Sequence, residues 1–351
     1  STALIGTIPA VVFIAFQGIF AAITVALISG AIADRAKFGA WMVFAGIWAT
    51  LVYFPVAHWV FAFDDFVAVT GGWIANDLGA IDFAGGTAVH INAGAAGLAL
   101  AIVLGKRIGF KKTPMKPHNL PLVMLGAALL WFGWFGFNAG SAVASNGTAG
   151  LALLNTIGAT VAAVLAWLLV EKIRDGHATS LGAASGIVAG LVAITAGCSV
   201  VEPWAACIIG VIGGIFYVLA SKLLIKLRID DAVDAVPVHF FNGMWGCIAT
   251  GLFAAPRHVK LAYDAENVNC GLFYSNGQLL LNEFLGVLFI LGWTVGIMTP
   301  FFIILNMLGM FRVDPLEEQV GLDISHHKGA AYNLEGPTGE ELEKYNTAHG
   351  K

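Results

Sequence analysis

Nine apolar stretches dominate this sequence, and nearly all of them are long enough to cross a bilayer, which requires about 20 residues. Only 11% of the chain is charged, against about 25% in an ordinary soluble domain. Lipid offers the backbone no hydrogen bonds, so each stretch that crosses it must be a helix. The sequence therefore predicts an all-α polytopic membrane protein. The predicted spans cover residues 8–32, 40–62, 80–104, 121–141, 149–170, 180–197, 204–226, 234–254 and 279–311.

The charges divide the chain into two parts. Of the 40 charged residues, 12 lie in the last 40 positions, which predicts a transmembrane domain over 1–311 and a polar tail over 312–351. With the N-terminus outside, 16 of the 18 Lys and Arg residues fall on inner segments, and only Arg257 and Lys260 lie outside. This is the positive-inside distribution, so the tail is expected in the cytoplasm.

Two of the predicted spans carry the same pattern around a histidine. His90 and His239 are each followed by Gly at the fourth and seventh positions and preceded by Asp eight residues upstream, at Asp82 and Asp231. The two spans run in opposite directions through the membrane. Similar segments of opposite direction predict an inverted repeat with a functional site at its interface near the midplane.

The two histidines are the first candidates for that site. Ionisable side chains deep in a membrane are costly and usually functional. Neutral imidazole carries one donor and one acceptor, so two facing rings can share a proton in an apolar channel. Two alternatives remain open from the sequence: separate histidines bonded to backbone carbonyls, or a metal site, for which no third ligand is visible.

Other candidates flank the histidines. Asp82 precedes a helix at the outer face, where a carboxylate caps free N–H groups and could also attract cations. Phe20 and Phe137 lie beside small glycines and could form a gate across a narrow pore. Aromatic faces near the Ser141 hydroxyl can form a cation–π cup for an ammonium-type ion. The alternative for the aromatic residues is plain packing.

Four motifs resemble the ammonium transporter family (Amt/Mep/Rh), in its Amt-like branch. They are Asp-Phe-Ala-Gly-Gly-Thr-Ala-Val-His over 82–90, Phe-Gln-Gly-Ile-Phe over 16–20, Gly-Trp-Phe-Gly-Phe-Asn-Ala-Gly-Ser over 133–141, and Asp-Ala-Val-Pro-Val-His over 234–239. The resemblance covers nearly the whole chain, including Glu-Glu-Gln-Val-Gly-Leu-Asp over 317–323 in the tail.

The resemblance implies an eleven-helix fold with an inverted 5+5 repeat, assembled as a homotrimer with one pore per subunit. The nine spans would then be the third to the eleventh helices of that fold, with the first two lacking. The implied site residues are the twin pore histidines His90 and His239, the gate Phe20 and Phe137, the pore-lining Trp134, and the outer ammonium site of Ser141, Phe61, Phe16 and Asp82.

One position departs from the family pattern. Phe61 stands where bacterial members usually carry the Trp of the cation–π cup, and Phe is the weaker cation–π partner. Trp59 could take its place after a shift of one turn, although residues two apart do not share a helix face.

The expected activity is passage of ammonium, methylammonium and ammonia across the membrane. Ammonium would be recruited outside and deprotonated, and ammonia would cross an apolar pore lined by the histidines. Potassium has no proton to lose and is rejected. The alternatives are an ammonium sensor with little net flux, and a membrane enzyme, for which no nucleophile or ligand set is visible. The sequence predicts no enzyme activity, no cofactor, no metal and no nucleic-acid partner.

The tail is expected to be regulatory. By resemblance it packs under the neighbouring subunit and couples the pores, and a PII-type signalling protein or a kinase could act on it. Ser325 lies where plant members carry a phosphorylation site, and a phosphate there would add charge beside Asp323. The alternative is a tail that is simply solvated.

Overall fold

Helices make up 73% of the residues that the computed structural model describes. The structure describes residues 3–64, 70–115, 117–264, 269–329, 331 and 339–348. Lys116, Lys351 and the tail residues 332–338 therefore lie outside the described residues. The fold is all-α and polytopic, as the sequence predicts.

Within the described ranges, nine helices coincide with the nine apolar stretches. They are α1 (Ala10–Ile32), α2 (Phe38–Phe61), α3 (Gly86–Leu104), α4 (Leu120–Ala139), α5 (Gly147–Asp175), α6 (Ser180–Thr195), α7 (Pro203–Leu227), α8 (236–253) and α10 (Gln278–Met307). Shorter helices are α9 (Pro256–Tyr263), α11 (Pro315–Val320), α12 (Leu322–Ser325) and α13 (Gly339–Ala348). Strands β1 (Leu4–Ile5) and β2 (Ile8–Pro9) form a small antiparallel hairpin before α1.

Seven of these nine helices, counted over the described residues, are long and apolar enough to span a membrane. The two others are α6, which has only 16 residues, and α8, which includes the polar side chains of His239 and Asn242. The chain is thus a multi-pass membrane protein, and the count of nine crossings stays a prediction.

The third predicted span begins later than its apolar stretch. Hydropathy places its start at residue 80, but α3 starts at Gly86 because the Asp82 carboxylate accepts the N–H groups of residues 85–88. His90 is therefore the fifth residue of its helix, and His239 is the fourth of α8. Both histidines lie at the same place near a helix start.

The centre of the fold is the crossing of α3 and α8. Along the apolar stretch of α3, 83% of the residues are buried inside the protein, against 44% or less in the six other helices that are long and apolar enough to span a membrane. Gly94 of α3 lies against Phe240, where an added Cβ would come within 2.4 Å of the Phe240 nitrogen. Gly243 of α8 lies reciprocally against α3, where an added Cβ would be 3.1 Å from the His90 Cβ. The repeated glycine therefore lets each helix approach the other beside its histidine.

Cys198 and Cys270 both lie on segments that the sequence predicts to be outside, which leaves a disulfide between them open, but the structure forms none. Cys198 is a buried free thiol.

Candidate functional site

The two histidines of the repeat meet inside the fold. The Nδ1 atoms of His90 and His239 are 3.3 Å apart, and their rings stack at 5.2 Å with an angle of 17°. The side chains are almost fully removed from the surface, at 0% and 5% exposure. The structure thus brings the rings to each other rather than to separate backbone carbonyls.

This contact fixes complementary tautomers. In a hydrogen bond between two Nδ1 atoms of neutral rings, one Nδ1 donates and the other accepts. The donor ring then has a lone pair on Nε2, and the acceptor ring has an Nε2–H. The His90 Nε2 atom is buried without a partner among the described residues. The pair therefore offers one donor and one acceptor to a small molecule that can do both.

A file of near-parallel rings leads to the histidines. Phe20 stacks on Phe137 at 4.3 Å, Phe137 stacks on His90 at 5.8 Å, and His90 stacks on His239. Trp134 lies alongside, 5.4 Å from His90 and 4.9 Å from Phe137. The two phenylalanines thus lie over the histidine pair, at the end nearer His90.

Wide π-type turns within the helices supply three of these rings. His90 lies in the turn Gly86–Ile91, His239 in Val236–Phe241 and Phe137 in Phe135–Ala139. Such turns are rare and are often found at functional sites, because they redirect side chains that a regular helix would present elsewhere. Trp134 is held by a hydrogen bond from its Nε1 to the Thr195 hydroxyl of 3.0 Å.

The outer candidates surround the phenylalanine pair. Phe16 leans on Phe20 at 4.7 Å, and Phe61 meets Phe20 edge-on at 6.5 Å. The Ser141 hydroxyl donates to the Phe137 carbonyl at 2.8 Å. Because its hydrogen is used there, the oxygen presents lone pairs, which suit an ion that only donates, such as ammonium.

Trp59 lies away from this group. Its ring packs against Trp73, Phe289 and Trp293 at 4.9–6.4 Å. The alternative in which Trp59 replaces Phe61 at the outer cup is therefore wrong, because α2 points the two rings in different directions.

Asp82 is a helix cap with an unusually full set of donors. Its carboxylate accepts the N–H groups of Gly85, Gly86, Thr87 and Ala88 and the Thr87 hydroxyl, at 2.5–3.2 Å. The side chain is buried, at 6% exposure. The capping function predicted for Asp82 is what its contacts show, and its part in attracting cations remains a prediction.

The two repeated segments, around His90 and His239, also share a hydrogen bond. Asp231 accepts the Val236 N–H at 2.6 Å, and Asp82 accepts the Thr87 N–H at 2.7 Å. Each N–H belongs to the residue three positions before a histidine. The environments differ, however, because burial raises the pKa of Asp231, and its Oδ1 has no partner among the described residues.

An ion pair joins the segment that follows α3 to the segment that precedes α8. Arg107, after α3, donates through its backbone N–H and its guanidinium to Asp230, before α8, at 2.7–3.0 Å. Burial of Asp230 raises its pKa, but the hydrogen bonds and charge of Arg107 outweigh burial and hold the pKa below its ordinary value. Arg35 is fully buried beside this pair and donates to the Asp230 carbonyl.

The described part of the tail is docked on the same subunit. Glu318 of α11 accepts the Ile108 N–H at 2.6 Å and pairs with Arg312 at 2.8 Å. Ser325 is buried, its hydroxyl donates to the Gly321 carbonyl, and the Tyr345 hydroxyl of α13 donates to the Ser325 carbonyl. These contacts differ from those of a solvated tail, and they join it to the loop after α3.

Known proteins with similar sequences identify the family of this chain. The profile of the Ammonium Transporter Family matches residues 2–332. The chain belongs to the ammonium transporter family. An "Ammonium transporter" of Mycobacterium tuberculosis is 56% identical over 340 residues, which are 97% of this chain and 71% of the relative. The relatives that match carry the names of transporters and not of enzymes.

Solved structures of this family share the fold. Mep2 of Saccharomyces cerevisiae superposes with a TM-score of 0.81 at 35% identity, covering 88% of this chain and 68% of Mep2. A structure described as "Sensor Amt Protein" superposes with a TM-score of 0.79 at 33% identity, covering 88% of this chain and 75% of that one.

Sequence reasoning missed two residues near the site. Thr195 holds Trp134, and Glu283 of α10 accepts the Ile81 N–H beside Asp82. Thr195 gives no signal in a Gly- and Ala-rich helix. Glu283 could have been found from the sequence, because a carboxylate within an apolar run is often functional. Among the described residues, no group of three His, Cys, Asp or Glu side chains is placed to hold a metal ion.

Proposed function

We propose that this ammonium transporter recruits ammonium at an outer aromatic site, removes a proton from it and conducts ammonia past the twin histidines. The observation that carries the proposal is the ring file Phe20, Phe137, His90 and His239, which ends on a buried imidazole pair.

The outer step is recognition of a cation. Phe16, Phe61 and Phe137 offer aromatic faces, and Ser141 offers a lone pair to an N–H donor. Asp82 accepts the Gly85 N–H, and an added Cβ at Gly85 would be 3.7 Å from the Phe61 ring, so the carboxylate adds negative charge near this end. A phenylalanine at position 61 gives a weaker cup than a tryptophan would, which favours a higher half-saturation concentration.

The inner step excludes ions. Past the phenylalanine pair the path meets the faces of the Trp134, His90 and His239 rings, with no carboxylate among them. A desolvated ion would lose several kcal/mol or more of hydration there without compensation. Ammonium can avoid this cost by leaving its proton with solvent water outside the phenylalanine pair. The neutral ammonia can then accept a hydrogen bond from one imidazole and donate one to the other. Potassium cannot avoid the cost in this way.

The setting of this function is proposed on the same grounds. We propose, as the family resemblance and the distribution of Lys and Arg imply, a homotrimer in the plasma membrane, with the domain 1–311 forming the pore and the tail 312–351 in the cytoplasm. Glu318 and Arg312 support a regulatory tail, because they connect it to the loop that follows the His90 helix. Partner proteins of PII type or a kinase at Ser325 would act through this contact. The buried position of Ser325 means that a kinase must first displace α13.

A second candidate function is an ammonium sensor with little flux. It is favoured by the docked tail and by the likeness to a structure described as a sensor. Uptake of labelled methylammonium into a yeast strain without its own ammonium transporters separates the two. Rapid, saturable uptake that external potassium does not reduce supports transport. Protein present at the cell surface without uptake contradicts it and supports the sensor.

A further inference from the structure

Glu283 is a buried acidic side chain that the proposed pathway leaves without a function. It lies in the second turn of α10, and only 1% of it is exposed. Carboxyl groups within spanning helices are costly to bury and are usually retained for function. Its contacts therefore indicate what it does.

Its main contact is with the segment that leads into Asp82. The Glu283 Oε1 atom accepts the Ile81 N–H at 2.6 Å. The neighbouring Asn282 donates its side-chain amide to the Gly79 carbonyl at 3.4 Å. The outer end of α10 thus holds residues 79–81, directly before the residue that caps the His90 helix.

The donors around the two acidic side chains differ. Asp82 has five hydrogen-bond donors, which suit a full negative charge. Glu283 has one, and its Oε2 has no partner among the described residues. A second charge here would be poorly compensated and would repel Asp82, which lies within electrostatic range. The contacts therefore favour a hydrogen-bonding function for Glu283 over a charge-based one.

We propose that Glu283 is a positioning residue for the outer ammonium site, acting through the Ile81 N–H to fix the turn that presents Asp82. The proposal rests on the proposed function, since it needs an ammonium site to position. It predicts that an acceptor at this position is required and that a charge is not. Without the acceptor, the Ile81 N–H is buried and unsatisfied, and the turn must move to find a partner.

The test compares three variants of the full-length protein by methylammonium uptake per amount of protein in the membrane. Glu283→Gln keeps the acceptor and removes the charge, so its half-saturation concentration stays within about twofold of the native value. Glu283→Leu removes the acceptor and raises the half-saturation concentration about fivefold or more. The matched control, Thr294→Val, removes another buried hydrogen bond of α10, the 2.8 Å bond to Asn92, and leaves half-saturation nearly unchanged.

Three results overturn the proposal. One is a Glu283→Gln variant as impaired as Glu283→Leu, which would mean that the charge matters. The second is a Thr294→Val variant with the same rise, which would mean that α10 has merely loosened. A further variant, Glu283→Met, is made if Glu283→Leu does not reach the membrane, and the third result is failure of both to reach it, which would assign a purely structural function. Absence of uptake by the native protein is a different result and refutes the proposed function instead.

Discussion

The substitution Gly94→Ala tests the helix crossing that brings the histidines together. An added Cβ would lie 2.4 Å from the Phe240 nitrogen and 2.7 Å from its Cα and Cβ. Ordinary contact begins near 3.4 Å, so α3 and α8 must separate by about 1 Å at this point, and backbone atoms cannot rotate away as a side-chain end can. Overpacking of this kind costs about 1–3 kcal/mol.

The consequence reaches the histidines directly. Gly94 is one helical turn from His90, and Phe240 is next to His239. The Nδ1 atoms of His90 and His239 are 3.3 Å apart, which is close to the limit for a hydrogen bond. If the two helices separate by about 1 Å, this contact breaks. We expect Gly94→Ala to reduce methylammonium uptake about tenfold or more. The loss of the His90–His239 hydrogen bond and the displacement of the two rings both hinder passage of the substrate past the histidine pair.

The assay is uptake of labelled methylammonium in the yeast strain without its own transporters, normalised to protein in the membrane. The control is Gly46→Ala in α2, where an added Cβ has no atom within 4 Å and the helix tolerates alanine well. It should leave uptake unchanged. Uptake by Gly94→Ala equal to that of Gly46→Ala, at equal amounts in the membrane, would refute the reasoning about the crossing.

Three further outcomes are expected. Phe61→Trp should lower the half-saturation concentration about two- to fivefold, because Trp binds cations more strongly; an unchanged value in uptake assays would remove Phe61 from the outer site. Asp230→Asn should lower the free energy of unfolding at pH 7 by about 3 kcal/mol, and with it the melting temperature, because it leaves the Arg107 guanidinium without its buried carboxylate partner. The Asp230 pKa is held below its ordinary value of about 3.9, so this contribution is complete above about pH 4 and is lost as the pH falls further, through the lowered pKa. The two melting temperatures should therefore approach each other only below about pH 4, and a gap that does not shrink as the pH falls through that range contradicts the ion-pair account. Deletion of residues 317–351 should reduce uptake, because it removes Glu318 from the loop after α3, and normal uptake by a well-expressed truncation would refute coupling through the tail.

Much of the fold is predictable from composition and spacing. Apolar runs locate the helices because the lipid leaves the backbone no other structure, and each of the nine runs coincides with a helix. The paired histidines are predictable because the repeat places them at one register, and their contact in the structure agrees with this. The position at which α3 starts is not predictable from hydropathy. Hydropathy does not show that the Asp82 carboxylate binds the first N–H groups of the helix and so sets its start at Gly86.

The finer geometry of the site has no sequence signal. The π-type turns that carry His90, His239 and Phe137 depend on how neighbouring helices pack, and a pattern based on 3.6 residues per turn does not show them. The directions of Phe61 and Trp59 follow from the same cause. The contact between Glu318 and Ile108 joins residues 210 positions apart, which no local pattern could relate.

The central claim is that ammonium crosses as ammonia because two imidazoles, and no charged filter, line the path. The most direct test is the double variant His90→Ala with His239→Ala, assayed in liposomes for methylammonium flux and potassium conductance together. The account predicts a large loss of flux, a loss of discrimination against potassium, or both, because the donor and acceptor that serve ammonia are gone. A double variant that keeps the native flux and still excludes potassium would contradict it.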